Sequence, residues 1–244
     1  MSTDCNDVSH AKLSWFNAIP SMIELSISHA KHNRIWTMII TVAHSKGGVG
    51  KSLLAWHLAI GLNVPIVDLD FQKTLVYTNN LRKANGHKNL DIIQPESPEA
   101  FIELMDNWPE NKNIIIDVGG FDSNLNRAAI YISDIIITPA VDRVTEMAGL
   151  YKFHQIIEEL STKMKTDIKA DILLNDVSPT SRDFSVMIDL VDSLPHFRLM
   201  KTIIAHRADF YKTMEEGKGV TELEGDSKAK QELKQLIKEI KKRG

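Results

Sequence analysis

The 244-residue sequence contains a single cysteine, Cys5. One thiol cannot build a disulfide scaffold, a thiolate zinc site or an iron–sulfur cluster within the chain. Long apolar runs are also missing. The longest, residues 53–62, is interrupted by His57 and falls short of the roughly 18–20 residues of a membrane-spanning helix. No secretory leader is legible, because Asp4 and Asp7 stand where a basic segment belongs and no apolar stretch leads to a small-residue cleavage site. The chain is therefore expected in the cytoplasm. Neither sign of charge dominates: 29 Lys and Arg face 32 Asp and Glu, for a net charge of −3. A nucleic-acid partner has no support from overall charge and must be argued locally. Disorder over most of the chain is excluded by its 43% hydrophobic content, which is ample for a packed core.

What is present divides into three stretches. Residues 1–37 mix Ser, His and Asn with scattered apolar side chains. Leu13, Trp15, Phe16, Ile19, Met22, Ile23 and Leu25 make one amphipathic patch, broken at Pro20. This leader is either an appendage or an over-extended reading frame ahead of a start at Met38. From Met38 to residue 206, runs rich in Ile and Val (38–43, 64–68, 90–93, 113–117, 134–138, 170–174 and 201–205) alternate with helical patterns near 51–62, 98–107, 123–132, 144–163 and 183–192. The strand runs are apolar on both faces, as in a parallel sheet covered by helices. Such βαβ alternation predicts a doubly wound α/β fold, with ligands at the edge where the strands end. Residues 207–244 read as helical and become basic, with seven Lys or Arg against two Glu from Lys228 to Arg243. Leu233, Leu236, Ile237 and Ile240 form a stripe at helical spacing.

The strongest local signal is Ser45-Lys46-Gly47-Gly48-Val49-Gly50-Lys51-Ser52, which follows the first strand and opens a helix. Gly47, Gly48 and Gly50 let backbone N–H groups turn inward around phosphate oxygens without a Cβ in the way. The helix adds the positive end of its dipole. Lys51 can neutralise β- and γ-phosphates, and the Ser52 hydroxyl can ligate Mg²⁺. Two further runs end in acids: Ile66-Val67-Asp68-Leu69-Asp70-Phe71-Gln72 and Ile114-Ile115-Ile116-Asp117-Val118-Gly119-Gly120. Acids straight after buried strands face the same site edge. The last reads as a Walker B strand, with Asp117 at the metal position.

With its extra lysine, Lys46, the loop resembles the deviant Walker A motif of the ParA/MinD group of P-loop ATPases. The other motifs agree: Asp68 to Gln72 resembles the group's Asp-x-Asp-Pro-Gln, with Phe71 in place of proline, and Ser133-Asp134-Ile135-Ile136-Ile137-Thr138-Pro139 resembles its Ala-Asp-x-x-Ile-x-Pro strand. Glu215-Glu216-Gly217-Lys218-Gly219-Val220, ahead of a last helix, resembles the partition branch. The resemblance covers residues 38–240, and the domain is placed at 38–244.

The resemblance implies ATP and Mg²⁺ as cofactors. ATP would be held by Gly47, Gly48, Val49, Gly50, Lys51, Ser52 and Leu53, where Leu53 replaces a hydroxyl residue and leaves only its backbone N–H. Lys46 would reach the nucleotide of a partner copy, Asp70 would orient or deprotonate the attacking water, and Ser52, Asp68 and Asp117 would serve the metal. Gly119 and Gly120 would act as a γ-phosphate switch. Asn175 is either an adenine contact or an ordinary cap residue. Also implied are an ATP-dependent homodimer, non-specific DNA binding in plasmid or chromosome partition, nucleoid association and a ParB-like stimulating protein. Arg198, Lys201, Arg207, Lys212, Lys238, Lys241, Lys242 and Arg243 are the candidate phosphate contacts. The alternative is a MinD-like positioning ATPase docked on a membrane by the basic last helix. That helix lacks aromatic anchors, and packing on the sheet is the favoured reading.

Overall fold

The computed structural model describes residues 37–243; the leader patch between Leu13 and Leu25 lies outside them. Among the described residues there are seven strands: β1 (Ile39–Val42), β2 (Ile66–Asp68), β3 (Ile92–Ile93), β4 (Ile114–Asp117), β5 (Ile135–Ala140), β6 (Ala170–Val177) and β7 (Phe197–Ala205). The helices among the described residues are α1 (Lys51–Leu62), α2 (Thr74–Ala84), α3 (Pro98–Asp106), α4 (Asn124–Ile132), α5 (Val144–Met164), α6 (Ser185–Asp192), α7 (Ala208–Glu215) and α8 (Lys228–Ile240). The strands pair in the order β3-β2-β4-β1-β5-β6-β7, parallel throughout. This is the doubly wound α/β fold that the alternating pattern predicts.

Alternation along each strand splits the core in two. Ile39, Ile114, Ile116 and Ile136 face one side, under Phe101, Ala129, Phe153 and Leu190 of the helices there. Ile40, Val42, Ile115 and Ile137 face the other, under Trp56, Phe210, Leu233 and Leu236. Each fully buried aliphatic side chain contributes roughly 1.5–3 kcal/mol on leaving water. The basic last helix belongs to this second layer. Ala229, Leu233, Leu236 and Ile240 of α8 are buried, so most of its apolar stripe is covered by the protein itself.

Sequence pattern missed α2 and the first half of β7. In α2, Thr74, Val76, Thr78, Asn79 and Asn80 have weak helix propensity. Tertiary contacts carry it instead: Leu75 is fully buried, and Arg82 donates to both carboxylate oxygens of Glu222 at 2.7 Å and to the carbonyls of Gly217 (2.9 Å) and Lys88 (2.6 Å). Gly217 has φ +71, and a Cβ there would lie 2.4 Å from the Arg82 backbone. The Glu-Gly-x-x-Val turn is thus a close-packed joint between α2 and the last helices. Arg82→Ala should lower unfolding free energy by about 2–4 kcal/mol, because it strands two carbonyls and a partly buried carboxylate; urea unfolding against wild type measures it. A loss under about 0.5 kcal/mol, the level of an ordinary surface change, would show that the joint is not needed.

Candidate functional site

Beyond β1, Ala43 and His44 are buried, and the chain then swings through Ser45–Gly50 into α1. Gly48 (φ 78°) and Gly50 (φ 91°) hold backbone angles that side chains disfavour. Gly50 is the N-cap of α1, and no side chain caps that end. The first-turn N–H groups therefore point to the loop's hollow, the arrangement that binds phosphate. Two neighbours clamp the loop. A Cβ on Gly50 would lie 2.8 Å from Asn175 Nδ2, and one on Gly120 would lie 2.8 Å from the Gly47 nitrogen. Asn175 Nδ2 donates to the Val49 carbonyl at 3.1 Å. Its carboxamide is thus employed on the loop itself, and Asn175 acts here as a brace.

A cavity of about 500 Å³ opens over this loop, lined by residues 47–53 and also by Asp70, Phe71, Gly120, Phe121, Asp176 and Tyr211. Lys51 is buried beside it, with Nζ donating to the Lys46 carbonyl at 2.8 Å. Burial draws the Lys51 pKa down, against the pull of Asp117, Asp70 and Glu146. An ammonium in this setting is poorly solvated and short of strong acceptors, and phosphate oxygens would supply them.

The acids meet because β4 lies between β2 and β1. Register sets Asp68 opposite Asp117, and Asp117 opposite Val42, immediately before the loop. Asp117 is fully buried, and neither carboxylate oxygen has a hydrogen-bond partner. Burial pushes its pKa up to about 8; the neighbouring Ser52 hydroxyl pulls the other way, and Asp68 adds to the rise. Asp68 is raised to about 6, first by burial, although it accepts from the Asp70 N–H (3.0 Å) and Gln94 Nε2 (3.2 Å). Two acids with a polar hydroxyl beside them, one carrying orphaned oxygens, form a donor set that suits a hard divalent cation such as Mg²⁺. Asp70 stands apart at the cavity rim, where Oδ1 accepts from the Gln72 N–H at 3.1 Å.

Comparison with known proteins agrees with this geometry. The sequence pattern of the CobQ/CobB/MinD/ParA nucleotide-binding domain matches residues 40–220, most of the chain. The chain belongs to that family. No curated protein sequence matches it. Its fold is shared with McdA from Cyanothece (15% identity over 84% of this chain and 99% of that one, TM-score 0.66). A plasmid partition protein from Borrelia burgdorferi B31, solved with AMPPNP, shares 18% identity over 85% of this chain and all of that one, with TM-score 0.62. The septum site-determining protein MinD from Pyrococcus horikoshii, solved with Mg-ADP, shares 15% identity over 84% of this chain and 96% of that one, with TM-score 0.61. The family is one of nucleotide-binding ATPases of the ParA/MinD type, and it includes partition and positioning proteins.

Within this family frame, the structure gathers Lys51, Ser52, Asp68, Asp70 and Asp117 around one loop. Lys46 is different. Its Nζ turns back within its own chain, 3.1 Å from Glu146 Oε2 and 3.4 Å from the Thr145 carbonyl. Neither His44 nor Glu146 receives a role from sequence pattern. Glu146 had one weak signal, an acid in the first turn of a helix. His44 had none, since its use depends on a contact with Glu146, in a distant segment of the chain. Phe71 and Phe121, both exposed, bring their ring centroids within 5.8 Å beside the cavity.

The basic candidates also separate. Arg198 and Arg243 both grip the buried Asp171, and Arg243 also holds Glu239. Arg207 is paired with Glu232 at 2.7 Å. These three arginines are held in ion pairs with carboxylates of the same chain, and Arg198 remains half exposed. Lys201, Lys212, Lys238, Lys241 and Lys242 are exposed.

Proposed function

We propose that the protein is an ATP-driven dimerising switch of the ParA type that binds DNA non-specifically in its paired form, acts in plasmid or chromosome partition and is stimulated by a ParB-like protein. The observation that carries this reading is the loop with two lysines of different surroundings: Lys51 buried in the loop's centre, Lys46 at its edge and 42% exposed. The first suits a phosphate of the chain's own nucleotide, the second a group on a second copy. Gly47 to Leu53 would hold the ATP phosphates, and Asn175, lining a small hollow beside Tyr211, would present its remaining polarity to the base. Ser52, Asp68 and Asp117 would hold Mg²⁺, which supplies charge neutralisation of the phosphates when bound. Asp70, at the solvent-facing rim, would align the attacking water and take its proton. Gly120, packed on Gly47, would transmit the presence of a γ-phosphate to the segment that follows.

Pairing places two sets of exposed lysines on one particle, which supports DNA as the ligand. The burial of the α8 stripe favours DNA over a membrane, since the apolar face a bilayer would need is spent on the core. DNA binding should require ATP and fade with salt: for about four phosphate contacts, a fourfold rise in salt lowers affinity by roughly 10²-fold. Electrophoretic mobility shifts on unrelated duplexes, at several salt concentrations and with ATP or ADP, test this. Binding that ignores salt, or that persists without nucleotide, counts against the reading. Liposome co-sedimentation, compared with a variant in which the exposed Lys238, Lys241 and Lys242 are replaced by Gln so that the buried face of α8 is kept, tests the membrane alternative.

A further inference from the structure

Lys46 is fixed at three points within its own chain. Its N–H donates to His44 Nδ1 at 2.9 Å, its carbonyl accepts from Lys51 Nζ at 2.8 Å, and its own Nζ meets Glu146 Oε2 at 3.1 Å. Because His44 Nδ1 accepts, the neutral ring carries its proton on Nε2, which stands 2.9 Å from Glu146 Oε1 but outside hydrogen-bond geometry, so that neither atom has a hydrogen-bond partner. The two oxygens of one carboxylate thus face the two neighbours, His44 and Lys46. Glu146 is 2% exposed. Burial alone would raise its pKa, but the contacts from His44 and Lys46 outweigh burial and hold it below the usual glutamate range. The helix that carries it, α5, is held close to the loop. Ser45 Oγ donates to the Gly149 carbonyl at 2.7 Å, and a Cβ on Gly149 would lie 2.9 Å from His44 Cε1 and 3.5 Å from Lys46 Cβ.

The Lys46 ammonium is tethered to Glu146 and to the Thr145 carbonyl of the same helix, α5, and to extend toward a phosphate in another chain it would have to leave both. We propose that Glu146, buried beside His44, is a positioning residue that latches Lys46 in cis, and that two chains pair only when a partner-bound nucleotide draws Lys46 away. The inference rests on the reading of Lys46 as the residue that crosses to the partner. Release leaves Glu146 buried with His44 as its remaining neighbour, and that desolvation cost sets the threshold for pairing. The latch thereby makes pairing depend on nucleotide and keeps unpaired chains apart.

Glu146→Gln keeps the side chain's size but removes the charge. With ATP and Mg²⁺, sedimentation velocity should show this variant pairing at about tenfold lower protein concentration than wild type, the scale of two partly exposed ion pairs, one opened in each chain. Its ATP affinity as a monomer should stay within about twofold of wild type, since Glu146 lies outside the cavity. In a Lys46→Ala background, Glu146→Gln should leave pairing unchanged, because no latch remains to open. A second measurement needs neither nucleotide nor variant: in wild type, an N-hydroxysuccinimide ester followed by peptide mass spectrometry should modify Lys46 more slowly than exposed Lys212. Equal rates at Lys46 and Lys212, or a folded Glu146→Gln chain that pairs no more tightly than a pairing wild type, would overturn the latch alone. A wild type that stays monomeric at saturating ATP removes the trans role of Lys46, and the latch falls with it.

Discussion

Lys51→Ala should abolish ATP binding. The Lys51 ammonium lies at the centre of the loop, nearly desolvated, with the Lys46 carbonyl as its near acceptor. Charge-assisted hydrogen bonds contribute about 1.5–3 kcal/mol each. Losing one to each of two phosphates weakens binding by roughly 10²- to 10⁴-fold. The fold should tolerate the change well, because the variant removes a buried charge whose protonated form burial already disfavours. Calorimetric titration with ATP and Mg²⁺, alongside a thermal melt, reads both effects. Micromolar ATP affinity in a folded Lys51→Ala chain would refute the phosphate role.

Asp70→Ala should leave ATP bound and the chains paired, with turnover reduced by about 10²–10⁴-fold, the usual contribution of one general base. Asp70 is the acid at the open rim; Asp68 and Asp117 are buried behind it. The position suits a group that meets water, whereas the buried pair suits a cation. Asp70 also accepts the Gln72 N–H, so alanine loosens the turn as well as removing the base. Asp70→Asn keeps an acceptor there and serves as the matched control. Both variants should elute as dimers with ATP and release phosphate slowly. A monomer in the presence of ATP would count against the role, and unchanged phosphate release would assign the water to another group.

These two substitutions act on residues that sequence could name, and the contrast with Glu146 shows why. Lys51, Ser52 and the glycines lie within one short segment whose chemistry is set by spacing along the chain. Asp68 and Asp117 each end an apolar run, and that position by itself marks them as sheet-edge residues. Glu146 and His44 belong to separate segments, and nothing in either segment refers to the other. Gln94 is similar: it lies 26 residues from the carboxylate it serves. The α2 helix escaped notice for the opposite reason. Its local propensity is poor, and Leu75 and Arg82 hold it through contacts with distant parts of the chain.

The alternation of strands and helices apart from α2, the two-faced apolar strands, the phosphate loop and the acids at strand ends were determined by the sequence alone, because each is a local pattern of period, spacing or boundary. Membership of the family follows from those same patterns. Tertiary structure decided the rest. Setting β4 between β2 and β1 placed Asp68 beside Asp117. The docking of α5 gave Lys46 a partner in its own chain. Carboxylates of the same chain paired with Arg198, Arg207 and Arg243. The physical reason is common to all three: pairing between charged groups depends on which strands and helices become neighbours, and hydrophobic periodicity records which face is buried without recording against what.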